Sequence, residues 1–401
     1  MDAYDVIVVG ARCAGSPTAM LLARKGYTVL LVDRATFPSD TVSTHLIHPP
    51  GVASLRKWGL LERVLATGCP PIKTYAFDMG PFVISGRPGT DDNPVSYAPR
   101  RTVLDKLLID AAAETGATVR TGFTVEEIVR DEGRVVGVRG HDKGGQTVNE
   151  RARVVVGADG LHSLVARTVG AEQYHERPEL EASYYTYWSG LPTNGFEAYD
   201  RGDRLWAAWP TNDSLTLVIV GWPHAQFESN KTDFEDHYLK AFDRAPAFRD
   251  RILGARREER FYGMAVPNFF RKPFGPGWAL VGDAAYNKDF ITAQGISDAF
   301  RDAERCVDAL HESFNETRTF DDAMRAYQSA RDEHALPIYE FTCQFASMTP
   351  PTPEMQQLFG AIHGNQAAMD GFARVIAGVT SPAEFFSPEN IGRIFAAAAR
   401  A

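Results

Sequence analysis

The sequence predicts an α/β protein in three parts: a discontinuous, Rossmann-like doubly wound part, a mainly antiparallel β-sheet part, and a helical C-terminal tail. Three observations lead there. Short β-branched runs alternate with a helical run around a glycine turn at the start; runs rich in aromatic residues fill the middle; helical periodicity takes over from Gly295 onward.

In order, Asp5 to Val9 reads as a strand, Ser16 to Lys25 as a helix, and Tyr27 to Val32 as a returning strand that ends on Asp33, which makes a βαβ unit. Ala14, Thr18, Leu21 and Leu22 share one helical face, and Gly26 stands where a helix end wants a residue tolerant of positive φ. Pro49-Pro50-Gly51 opens a helix reaching Trp58, followed by turn-rich chain from Cys69-Pro70-Pro71 through Gly86 to Asn93. Arg101 to Ala113 is amphipathic and helical. Thr118 to Thr121, a hairpin centred on Glu132-Gly133, and the apolar run Ala152 to Gly157 restore the α/β alternation. Ser183 to Trp188, Leu205 to Trp209 and Leu215 to Trp222 then predict an antiparallel layer, with one helix near Phe234 to Phe242. Trp278 to Val281 is one more buried strand. Ser381-Pro382 and Ser387-Pro388 each predict a capped helix start. These elements divide the chain into a doubly wound domain built from 1–72, 99–170 and 273–335, a substrate domain from 73–98 and 171–272, and a helical region over 336–401.

Composition narrows the partners. With 401 residues and 44% hydrophobic side chains the chain can fill more than one core. Forty-two basic against 51 acidic residues leave a charge of −9, a poor match for nucleic acid or for an anionic membrane surface, so a small molecule is the expected partner. The start, Met1-Asp2-Ala3-Tyr4-Asp5, lacks the basic character of a secretory signal, and no apolar run approaches a membrane span, so the expected location is the cytoplasm. Cys13, Cys69, Cys306 and Cys343 stand far apart without metal-ligand spacing, and no metal is expected. Oligomeric state is not encoded in any of these features.

Three motifs carry chemistry. Gly10-Ala11-Arg12-Cys13-Ala14-Gly15 follows a strand and opens a helix, and Asp33 ends the next strand. Glycines there permit a tight turn and close helix–strand approach. The helix start offers N–H groups to a pyrophosphate, and Asp33 can accept from a ribose hydroxyl, with Arg34 beside it. Arg12 occupies the place of the middle glycine and could instead turn its guanidinium toward the phosphates. The second motif, Val154 to Ser163, and the third, Trp278 to Ala285 running on to Gln294-Gly295-Ile296, each put an aspartate, Asp159 or Asp283, at the end of a buried strand. Helix capping is the alternative role for such an aspartate.

With these residues in place, the chain over roughly 4–335 resembles the single-component FAD-dependent monooxygenases built like para-hydroxybenzoate hydroxylase, and their relatives among geranylgeranyl reductases and flavin halogenases. The resemblance implies that FAD lies with its adenosine half on Gly10 to Gly15 and Asp33. It implies that Asp283 contacts the ribityl or pyrophosphate region, that Arg101 is a polar FAD contact, and that Gly295-Ile296 lies beside the isoalloxazine. It links Asp159-Gly160 to FAD and to transient NADH or NADPH. A helix starting near Gly295 would also stabilise the anionic reduced flavin through its dipole. The implied reaction is transfer of an oxygen atom from O2, through a flavin hydroperoxide, to an apolar, aromatic small molecule.

Two departures bear on the reaction. Phe290, in the run Lys288-Asp289-Phe290-Ile291-Thr292, replaces a proline common in such sequences, and Val42-Ser43-Thr44-His45 lacks the usual arginine. His45 and Asp289 are therefore candidates for a flavin neighbour, a proton relay or a structural residue. Dehydrogenation or reduction of a C–C bond is the alternative activity, and a flavin-binding sensor a third. Trp206-Ala207-Ala208-Trp209-Pro210 and Lys73 superficially suggest a halogenase, but the tryptophan spacing is wrong. Tyr184, Tyr185, Tyr187, Trp188, Trp206, Trp209 and Trp222 must divide between two sheet faces, of which one can meet a ligand.

Overall fold

The computed structural model describes residues 4–400, so Met1 to Ala3 of the start read above lie outside it. The strands Phe274–Gly275, Trp278–Leu280, Thr147–Gly157, Tyr4–Val9, Val29–Asp33 and Thr118–Thr121 lie side by side in that order. All are parallel except the first pair. Register puts Val9 beside Gly157, and Gly157 beside Leu280. Three strands thus end together, and Gly10, Ala158 and Gly282 leave the sheet at one edge.

Both faces of this sheet are covered, which is why its strands read as continuous apolar runs. Helices Gly15–Arg24, Arg101–Glu114 and Gly295–Phe314 bury Ala19, Leu108 and Phe300 against Val6, Val8 and Leu31 on one face. On the other, Ile7, Leu30 and Val155 pack against Ile128 and Val138 of the hairpin Thr124–Asp131/Arg134–His141. The strand expected from Ala152 starts earlier, at Thr147, because its first half pairs with Arg134–His141 as an exposed antiparallel ribbon.

The aromatic-rich segment forms a second sheet in the order Arg256–Arg257, Glu181–Ser189, Leu215–Pro223, Leu205–Pro210, Phe196–Asp200, Tyr75–Asp78, Val83–Gly86. It is antiparallel except where Phe196–Asp200 meets Tyr75–Asp78. Alternation along the strands divides the aromatics. Tyr185, Tyr187 and Trp209 face one side with Tyr75 and Phe196; Tyr184, Trp188, Trp206 and Trp222 face the other, beneath helices Phe234–Ala241 and Pro246–Leu253.

The C-terminal helices settle on the first of those faces. After the 27-residue helix Phe320–Ala346 come Pro353–Ile362, Gln366–Ile376 and Pro388–Ala398, which pack Ile362, Phe372, Ile376 and Ile394 against Phe77, Phe196 and Ile219. Thr319, Thr352, Asn365 and Ser387 cap these helices through their side chains. Ser381, also expected to cap, makes no such bond, and its helix Pro382–Phe385 has a single turn. Among the described residues no helix is long and apolar enough to cross a membrane.

Candidate functional site

The edge where the three parallel strands end is held open by glycine. Gly10 has φ +103°, and a Cβ there would stand 2.4 Å from the Ala158 carbonyl oxygen; a Cβ on Gly15 would stand 1.7 Å from that of Gly10. Neither position admits another residue without backbone movement. Asp33 braces the loop from the next strand: its Oδ2 accepts from the Ala11 N–H at 2.7 Å and its Oδ1 from the Ala35 N–H at 2.7 Å. Each oxygen keeps a lone pair for a further donor such as a ribose hydroxyl. Arg34 is exposed beside it.

Arg12 departs from expectation. Its guanidinium turns away from the loop backbone, donating to Asp105 Oδ2 at 2.6 Å and to Ser39 Oγ at 2.9 Å. The cause is Asp105, whose side chain is wholly buried and which also accepts from Arg101 Nε at 3.0 Å and the Cys13 thiol at 3.4 Å. A buried carboxylate demands compensating charge, and two guanidinia supply it. Arg12 therefore fixes the loop to the helix Arg101–Glu114, so a phosphate at this loop would meet backbone N–H groups instead of the guanidinium. Cys13 is buried with its thiol pKa pushed up by desolvation, a packed rather than reactive cysteine. Arg101 is also close enough to Asp283 for the two charges to interact.

Of the two strand-end aspartates, Asp159 takes the capping role. Its Oδ1 accepts from Ser163 Oγ at 2.5 Å and its Oδ2 from the N–H groups of Leu164 and Val165 at 2.7 and 3.2 Å, which closes the N-terminus of the helix Leu164–Val169. Burial raises its pKa against those bonds. Asp283 is different: it remains exposed in a turn whose neighbours Gly282 and Ala284 are buried. Desolvation in this recess raises its pKa, opposed by Arg101 and Lys288. A Cβ on Gly282 would meet the methyls of Ala14 at 2.8 Å and Ala299 at 3.6 Å, so this turn wedges between the first helix and Gly295–Phe314. Gly295 opens that second helix, is exposed, and has nothing within 4 Å of a would-be Cβ; Ile296 behind it is buried.

Two helix starts, an accessible carboxylate between them and Asp33 at one end make a donor set suited to FAD. The N–H groups at Arg12 to Ala14 would meet the pyrophosphate, with Asp33 and Asp283 accepting from sugar hydroxyls and Gly295-Ile296 flanking the ring system.

Just before Gly295, the segment Lys288–Ala293 turns into the protein. Lys288 is buried and paired with Asp298, which Arg301 also contacts at 2.8 Å. Burial opposes ionising Asp298, yet these two cations hold its pKa below the usual range. Asp289 is buried, its N–H donates to Asn268 Oδ1 at 2.6 Å, and its Oδ1 caps the turn Phe290–Thr292 by accepting from the Ile291 N–H at 3.0 Å. Phe290, Ile291 and Ala293 then line a mostly apolar cavity that is partly open to solvent. Phe77, Phe196, Trp209 and Ile219 line it from the second sheet; Phe345 and Ile376 close it from the C-terminal helices.

His45 is fully buried beside this cavity, with φ +61°. Its Nε2 pairs with the Tyr187 hydroxyl, and its Nδ1 has no partner. Burial, together with Arg101 and Arg100, pushes its pKa well down, so the ring is neutral. Sequence reasoning missed three participants. His48 bridges Tyr75 Oη at 2.7 Å and the Thr292 carbonyl at 2.9 Å, tying the Phe290–Thr292 turn to the second sheet. Lys288 was quoted without its partner Asp298. Glu181, a buried acid in an aromatic strand, lines the cavity; the signal was Gly221, opposite Ser183 in the neighbouring strand, where a Cβ would meet Glu181 Oε2 at 2.5 Å.

Residues 3–342 match the family described as FAD binding domain. Digeranylgeranylglycerophospholipid reductase 1 of Methanopyrus kandleri is 26% identical over 367 residues, 86% of this chain and 91% of its own. Protein FixC of Salmonella typhi is 33% identical over 71% of this chain and 70% of its own. Among solved structures, the flavin-dependent brominase Bmp2 superimposes with a TM-score of 0.83 at 19% identity, covering 100% of this chain and 99% of that one.

Proposed function

This chain belongs to the FAD binding domain family, and on that premise we propose that it is an NAD(P)H-dependent monooxygenase of an apolar, aromatic small molecule. That it is an FAD-dependent oxidoreductase follows from the family and its enzyme relatives. FAD, when bound, would supply the redox chemistry between NADH or NADPH and O2. The protein binds the coenzyme, orients the substrate and keeps water away.

The observation that carries the reading is the apolar cavity reaching Phe290, Ile291 and Ala293, two residues before the exposed helix start at Gly295. A substrate lodged there would be walled by aromatic and aliphatic side chains that limit water's access, beside the helix start that would hold the coenzyme. In this reading 1–72, 99–170 and 273–335 hold the coenzyme, while 73–98, 171–272 and the tail hold the substrate. His45, neutral and buried, positions Tyr187 and the cavity wall, and Asp289 and Phe290 shape the turn facing the substrate. The four cysteines, buried and unbridged, support a reducing, cytoplasmic setting.

Phe290 in the turn favours a second reading, reduction or dehydrogenation of a C–C bond, which the archaeal reductase likeness supports. Mass spectrometry of turnover products from yellow holoprotein with NAD(P)H and O2 separates the two. Gain of one oxygen atom supports monooxygenation; gain or loss of two hydrogens overturns it in favour of the second.

A further inference from the structure

Glu181 opens the strand Glu181–Ser189 and lines the cavity, yet it is only 2% exposed; Asp289 reaches it from the coenzyme-side turn and is 1% exposed. The two carboxyls are near enough for each to influence the other's ionisation. Asp289 Oδ1 is spent on the Ile291 N–H, while its Oδ2 has no N–H or hydroxyl partner. Burial is the largest influence on both acids and raises both pKa values, and each carboxyl also acts on the other. Two carboxylates this close in an apolar setting cannot both ionise freely, so near neutrality the pair holds one proton and one negative charge.

No cation among the described residues balances that charge. Around the pair stand Ser183 on the same strand, Gly221 on the next, Asn268 of the small sheet and Cys343 of the long C-terminal helix. Lys288, adjacent in sequence, is committed to Asp298, and Arg177, the cation near Cys343, to Glu340. The remaining ionisable groups lining the cavity are Asp78, Asp200 and the phenol of Tyr199; Asp78 is paired with Arg201 at 2.9 Å, Asp200 accepts from the Gly202 N–H at 2.8 Å, and Tyr199, kept neutral by burial, donates to Glu197 at 3.0 Å. The cavity is therefore apolar in its walls and anionic at its inner end, with aromatic faces that also attract cations.

We propose that the substrate is an apolar molecule bearing one basic nitrogen, whose ammonium rests on the Glu181–Asp289 pair and supplies its missing counter-charge. This rests on the cavity being the substrate site, as read above. The proton shared by the pair stays between the two carboxyls, while the remaining oxygen lone pairs accept from the ammonium. An anionic substrate is repelled, and a neutral hydrocarbon of the same shape gains apolar contacts only.

Equilibrium binding to the FAD-loaded protein, without turnover, tests this using phenethylamine, propylbenzene and hydrocinnamate as cationic, neutral and anionic probes of one shape. At about pH 8, phenethylamine should bind at least about tenfold more tightly than propylbenzene, the gain of a charge-assisted contact. The advantage should shrink as pH falls to about 5, because the pair takes up its second proton while the amine remains an ammonium throughout. Glu181→Gln or Asp289→Asn alone leaves one carboxylate to carry the charge and should keep most of the preference at about pH 8, whereas the double variant holds no acid there and should lose it; a preference that survives in the double variant would overturn the proposal. Equal binding of phenethylamine and propylbenzene, or hydrocinnamate binding as well as the amine, would overturn the proposal while leaving the cavity as the substrate site. Binding of none of the three would overturn both.

Discussion

Replacing Asp105 with alanine tests whether the glycine loop is held in place by charge. The Asp105 side chain is 0% exposed and meets Arg101, 10% exposed, and Arg12, 25% exposed. Removing one partner of a buried ion pair costs about 3–5 kcal/mol because the remaining charge is left in a low-dielectric site. Here two charges are stranded, but unequally. Arg12 can swing into solvent, and its share is discounted accordingly. Arg101 cannot, although Asp283 offsets part of its charge. The expected loss for Asp105→Ala is therefore about 2–4 kcal/mol, measured by urea unfolding of the apoprotein with an unchanged denaturant slope. Asp105→Asn keeps one acceptor and should lose roughly half as much. A loss below about 1 kcal/mol would equate the cluster with an exposed ion pair and refute the argument that burial makes it matter.

Further outcomes follow from the same geometry. Gly10→Val and Asp283→Ala should each purify without colour, the first because the side chain meets the Ala158 carbonyl and the second because the recess loses its accessible acceptor; stoichiometric FAD in either would show those assignments misplaced. Phe290→Pro should change the fraction of NAD(P)H electrons lost as hydrogen peroxide, and unaltered coupling would remove Phe290 from the reacting geometry. His48 is held neutral by burial, its pKa lowered from 6.5 to about 4. The unfolded chain takes up that proton first as pH falls, so stability drops through this window by up to about 3 kcal/mol from this residue. His48→Gln should flatten that part of the pH–stability curve, whereas a curve identical to that of the parent protein would refute the assignment.

The geometry of the glycine-loop edge was legible because its constraints are local. Gly10 and Gly15 are fixed by approaches within one βαβ unit, and Asp33 by the end of the next strand, so spacing alone brings them together. The partners of Arg12 and Glu181 were not legible. Asp105 lies 93 residues from Arg12, and Asp289 lies 108 residues from Glu181; each meeting is decided by how separate elements pack, and no periodicity within a single segment records it. Asp159 shows a different limit. A strand-end aspartate followed by a serine four residues on suits a ligand contact and a helix cap equally, and only the direction of the Leu164–Val169 helix decides between them.

The family match ends at residue 342, and the first side chain roofing the cavity from the tail is Phe345, followed by Ile376. Part of the wall proposed to judge molecular shape is thus encoded beyond the matched stretch, although most of the cavity lining lies within it. Exchanging the last sixty or so residues offers a way to change what the enzyme accepts while leaving its yellow colour untouched.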